Sequence, residues 1–127
     1  MRTHAVLGLF LLAVVLPACS ATTAPAPTRD FIVSVEGERF VLRLTDPQSI
    51  QLAEDNRQGR NEKIPIGPLR PGNGGFNAPW TWHLDPAQAR MVDATIELCG
   101  ATPSYVEQHQ DKFPTYCPWA ARVIDRR

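Results

Sequence analysis

The chain has 127 residues, 43% of them hydrophobic and 20% charged, with thirteen basic and thirteen acidic side chains. That length holds one domain, and the apolar content is enough for a core, which excludes a chain disordered throughout. A formal net charge of zero excludes the broad basic footprint of a nucleic-acid binder.

Residues 1–18 read as an address rather than as fold. Arg2 supplies a short positive region, and Ala5 to Leu16 form an apolar run too short to span a bilayer but suited to a signal peptide. Leu16-Pro17-Ala18-Cys19 follows and resembles the lipobox of bacterial lipoproteins, with Pro17 standing where Ala, Ser or Thr is usual. The resemblance implies diacylglycerol transfer to the Cys19 thiol and cleavage that leaves Cys19 at the new N-terminus. It also implies a lipid-anchored envelope location, at the outer membrane in a Gram-negative cell because Ser20 rather than Asp follows the Cys. Cleavage removes Arg2 and leaves one more acidic than basic residue. Residues 19–29 form the lipidated Cys and its tether, since Ser20 to Thr28 carries neither charge nor a large apolar side chain. Residues 30–127 form the globular domain.

Phe31–Val35 and Glu38–Leu44 flank Glu36-Gly37 and predict a tight hairpin. Pairing Val35 with Glu38 sets Val33 opposite Phe40 and Phe31 opposite Leu42, which gathers four apolar side chains on one face. Asp46-Pro47, Asp85-Pro86 and Thr102-Pro103 each place a capping side chain before a proline, predicting helices over 47–57, 86–90 and 103–111. Residues 64–78, rich in Gly and Pro, read as a long loop. Trp80–Leu84, Met91–Cys99 and Ala120–Asp125 read as strands; in the second, Val92, Ala94, Ile96 and Leu98 alternate with Asp93, Thr95 and Glu97. The expected fold class is α+β: a small, mainly antiparallel sheet of about five strands, one or two packed helices and one disulfide.

Three cysteines are an odd number, and lipidating Cys19 leaves Cys99 and Cys117 to pair. Such a bridge is worth roughly 3 kcal/mol by the chain-entropy account. Reduced thiols and a metal pair are the alternatives, although no third and fourth ligand stand at zinc spacing.

Three groups of residues carry candidate chemistry. Leu69, Arg70 and Phe76, with neighbouring Asn77, sit in a proline-rich segment that would lose little entropy on docking to a partner. Trp80 and Trp82 share one side of a strand, either as core or as a stacking platform for a sugar. His83 points the other way and would meet Asp93, Thr95 or Glu97 if the two strands pair, a set suited to a metal or to acid–base work. No H-E-x-x-H, G-x-S-x-G or P-loop pattern is present. The leading expectation is therefore a lipid-anchored binding domain with an envelope protein partner and no cofactor, able to act as an inhibitor. The rival is a small metal-binding protein or metal-dependent enzyme centred on His83, Asp93 and Glu97.

The chain also resembles a family of small bacterial secreted proteins and lipoproteins, with similar domains outside bacteria. The shared pattern is F-x-L-x-L-T-D-P at Phe40–Pro47, I-P-I-G at Ile64–Gly67 and G-G-F-N-A-P-W-T-W-H-L-D-P at Gly74–Pro86. It continues with T-I-E-L-C at Thr95–Cys99, P-S-Y-V-E at Pro103–Glu107 and C-P-W-A-A-R-V at Cys117–Val123. Gly100 departs from it where the family carries Asp, so no carboxylate role is carried over there. The resemblance implies a shared fold and transfers no activity.

Overall fold

The computed structural model describes residues 12–17 and 27–127. Cys19, most of the signal segment and most of the tether lie outside the described residues. The element order is β1 (Arg29–Val35), β2 (Glu38–Leu44), α1 (Pro47–Arg57), β3 (Ile64–Pro71), β4 (Trp82–Leu84), β5 (Arg90–Val92), α2 (Pro103–Gln108), a 3-10 turn (Gln110–Lys112), β6 (Thr115–Tyr116) and β7 (Ala121–Arg126). The class is α+β as expected. The strands make two antiparallel sheets rather than one: β2-β1-β7, and a second in which β4, β5 and β6 all pair with β3.

The first hairpin has the register read from the sequence, with Val33 opposite Phe40 and Phe31 opposite Leu42. Its turn places Glu36 at φ 50° and Gly37 at φ 86°. Positive φ at both central positions matches the right-handed twist of the strands and suits Asn or Gly first and Gly second. Glu36 holds the first position against that preference. Phe31, Val33, Val35, Phe40, Leu42 and Leu44 all turn inward and are at most 2% exposed.

Helix α1 begins where its cap predicts. An Asp46 carboxylate oxygen accepts from the Ser49 backbone N–H at 2.9 Å, and Pro47 occupies the first turn. The helix is held by buried polar side chains rather than by an apolar stripe. Ser49 Oγ accepts from Met91 N at 3.1 Å, tying α1 to β5. Asn56 Oδ1 accepts from Val123 N at 2.9 Å, tying α1 to β7, while its Nδ2 donates to the Lys63 carbonyl at 3.0 Å. Each bond satisfies a backbone group next to a ladder, so the polar atoms are buried without an unpaired donor or acceptor.

Three elements differ from expectation. Residues 64–71 are not loop but β3, the strand on which the second sheet is built. Pro65, Pro68 and Pro71 remove three N–H donors, so β3 pairs in short stretches with three partners instead of forming one ladder. Gly67 is needed here because a Cβ would lie 3.1 Å from the Ala89 Cα. Residues 86–88 form a turn, not a helix: Asp85 accepts from Ala87 N through its side chain and from Ala89 N through its carbonyl, and β5 begins at Arg90. The predicted strand over Met91–Cys99 stops at Val92, because its partner β3 begins at Ile64 and no strand remains to pair with. The alternation that continues through Ile96 and Leu98 therefore faces solvent, each side chain being 97% exposed.

The two sheets share a core. Phe40, Trp82 and Tyr116 meet with ring centroids 5.4–5.7 Å apart, and Phe113 reaches Tyr116 edge-on at 6.2 Å. The Cys99–Cys117 disulfide is formed, with Cα atoms 5.0 Å apart. It closes a smaller apolar cluster with Ile64.

Candidate functional site

The proline-rich segment is an internal support rather than a presented loop. Phe76 and Asn77 are buried. Asn77 Oδ1 accepts from Val41 N at 2.7 Å and its Nδ2 donates to the Trp82 carbonyl at 2.8 Å. One side chain thus satisfies the outer edge of β2 and locks it to β4. The Phe76 ring is covered by the Arg43 guanidinium at 4.4 Å and met edge-on by His83 at 5.4 Å. Leu69 packs against the core from β3. Arg70 is exposed and forms an ion pair with Asp85 at 3.1 Å. The Ala87 N–H, and then Arg70, hold the Asp85 carboxyl below the usual carboxylate range. Replacing Asn77 with alanine leaves the Val41 N–H and the Trp82 carbonyl without partners, so a loss of about 2–4 kcal/mol is expected. Urea unfolding checks this; an unchanged midpoint would show that water replaces the amide at both ends.

Trp80 and Trp82 lie on one side, as expected, with rings stacked 6.2 Å apart. Trp82 is fully buried, and Trp80 is half-buried with its Nε1 donating to the Arg39 carbonyl at 2.8 Å. Trp82 belongs to the core and offers no platform to a sugar.

His83 does face away from Trp82, but it does not meet the carboxylates. It pairs across from Arg70, whereas Val92 pairs across from Ile64. Six residues of β3 separate the two levels, about 20 Å of strand. His83 Nδ1 is hydrogen-bonded to the Gly72 carbonyl at 2.7 Å. Asp93 pairs instead with Lys63 at 2.8 Å. Thr95 sits nearer the disulfide, with its Oγ1 3.8 Å from Cys117 Sγ, and exposed Glu97 accepts no side-chain partner there. Among the described residues no group of three or more His, Cys, Asp or Glu side chains could hold a metal ion.

A site that the sequence reading passed over lies at the disulfide corner. A cleft of about 510 Å³ opens between the 97–101 segment, α2 with its 3-10 turn, and the Pro118–Ala120 turn. The disulfide and a 2.7 Å bond from Cys117 N to the Cys99 carbonyl join its first and third walls. Trp119 is 52% exposed and Tyr105 45% exposed on its lining, with Leu98 beside them. Tyr105 is fixed by stacking on His109 at 4.1 Å and by the edge of Phe113 at 6.0 Å. The α2 wall is anchored by the Glu38 carboxylate, which accepts from Ser104 N at 2.7 Å and from Ser104 Oγ at 2.6 Å. Beneath it, burial and then the charges of Glu38 and Glu36 push the Tyr116 hydroxyl far above its ordinary range, and that hydroxyl donates to the Ala101 carbonyl at 2.7 Å. Tyr116 is thus a neutral support. The available signal was the C-P-W at Cys117–Trp119: an aromatic two residues after a bridged Cys, next to a proline that turns the chain, has little core left to enter.

Residues 27–127 match the BP-74 N-terminal domain family. The match covers most of the chain, which therefore belongs to that family. No curated protein and no solved structure matches it.

Proposed function

We propose that the protein is a lipid-anchored binding module of the cell envelope whose recognition surface is the disulfide-corner cleft. The observation that carries this reading is the grouping of exposed Leu98, Tyr105 and Trp119 on one concavity, with exposed Ile96 two residues along the chain from Leu98. A domain this small has little apolar surface to spare, and large apolar side chains left outside together mark a contact site. The bridge and the Tyr105 stack hold the walls before any partner arrives, which lowers the ordering cost of binding.

The anchor rests on the sequence: Arg2, the apolar run to Leu16, and Leu16-Pro17-Ala18-Cys19 stand in order ahead of the uncharged stretch Ser20–Thr28. Among the described residues no helix is long and apolar enough to cross a membrane. Attachment through a lipid at Cys19 supplies a membrane address without one.

The test uses the full chain, expressed in a bacterial host that processes lipoproteins. The N-terminal peptide is expected to carry a lipidated Cys19, and Cys19→Ala to leave the membrane fraction; an unlipidated chain that stays membrane-bound would remove the anchor from this reading. For the cleft, native chain and a Leu98→Ser/Trp119→Ala variant are compared as baits for envelope proteins. A partner held by the native cleft and lost with the variant is the expected result, and identical captures by both would overturn it.

A further inference from the structure

We infer that the cleft seats a cationic side chain, an arginine of a protein partner, against Trp119 and Tyr105. This rests on the cleft being the recognition surface, and it names the chemistry recognised there. Glu36 and Glu97 line the cleft from opposite walls. Neither forms an ion pair among the described residues. The aromatic lining presents negative ring faces, so carboxylates and rings attract the same sign of charge. A guanidinium uses both at once, stacking flat on an indole while donating in pairs to a carboxylate. The open 510 Å³ volume admits one long side chain together with its backbone.

Glu36 adds a separate observation. It occupies the first turn position at φ 50°, a left-handed conformation that Asn or Gly adopts at less cost. The chain nevertheless carries a carboxylate there, at the rim of the cleft. A residue held in an unfavourable backbone conformation next to a cavity points to a role for its side chain. Lys112 is the one cation on the lining. It is exposed and pairs with neither carboxylate, so it opposes a bound cation and serves as a built-in test of sign.

The full chain in detergent is titrated with acetyl-Gly-Arg-Gly-amide and followed by the NMR signals of its indole N–H groups, with Trp119 assigned through Trp119→Phe. The neutral control replaces arginine with citrulline, which keeps the shape and removes the charge. The Arg peptide is expected to shift the Trp119 signal and to bind about tenfold more tightly than the citrulline peptide, a difference of about 1.4 kcal/mol. Glu36→Gln and Glu97→Gln are each expected to weaken it about threefold, and Lys112→Ala to tighten it by a similar factor. All three sit on the surface, and far-UV circular dichroism confirms that each variant is folded. Equal binding of the two peptides, or weaker binding by Lys112→Ala, would overturn the charge assignment and leave the cleft standing as a contact surface. Choline binding more tightly than the Arg peptide would overturn the side-chain assignment in favour of a free ammonium ligand. An unmoved Trp119 signal with every probe would overturn the inference outright, while the capture experiment on Leu98→Ser/Trp119→Ala reports separately on the cleft.

Discussion

Trp82→Ala is expected to destabilise the domain by about 3–5 kcal/mol, the usual cost of emptying a large aromatic site in a packed core. Trp82 is fully buried and touches Phe40, Tyr116 and Trp80, so it joins the inner face of the first hairpin to both β4 and β6. Small domains hold roughly 5–15 kcal/mol in total, and the variant should therefore lie near the edge of folding at 25 °C. The indole carries one liability. Its Nε1–H is buried without a hydrogen-bond partner. Trp82→Phe removes that unpaired donor along with part of the ring, and its cost should fall well below that of alanine. Urea unfolding of the pair distinguishes the contributions. If phenylalanine proved as damaging as alanine, the shape of the indole rather than burial of aromatic surface would be the deciding quantity.

Removing the disulfide by Cys99→Ala/Cys117→Ala is expected to cost about 2–5 kcal/mol, with the chain-entropy account giving about 3 for a loop of this length. The bridge spans a sequence separation of 18 and encloses α2 and the 3-10 turn. Its loss should also be local. The 96–100 segment has no strand partner beyond Val92, so the bridge and the Cys117 N to Cys99 carbonyl bond are its main ties to the fold. Hydrogen exchange in residues 94–101 and 117–120 should therefore rise more than in β1 and β2. Trp119, 52% exposed on the released wall, should lose the Arg-peptide response before the domain unfolds. A uniform rise in exchange across the whole chain would show instead that the bridge acts only on the unfolded ensemble.

Local chemistry settled much of this protein within the sequence. The Glu36-Gly37 turn allows one register, because slipping by one residue would turn Phe31, Val33, Phe40 and Leu42 into water. Asp46-Pro47 starts α1 because side-chain capping and a missing donor are both properties of a single turn. The pairing of Cys99 with Cys117 followed from counting, and the α+β class from the mixture of periods. Tertiary structure decided what depended on partners distant in the chain. Prolines that read as breakers at 65, 68 and 71 are accepted in β3 because three short strands divide its pairing. The alternating Met91–Cys99 run had the pattern of a strand but no edge to join, and so its apolar side chains stand in solvent. His83 and Asp93 looked near because only ten residues separate them, yet β3 pairs with their strands at opposite ends of its length. Asn77 looked like a loop residue open to partners and instead bridges two strand backbones, a role set by the position of Val41 far earlier in the chain. The cleft itself joins Glu36, Glu97, Tyr105 and Trp119 from four separate segments. Periodicity reports which face of an element is apolar; only the packing of one element on another determines which of those faces remains uncovered.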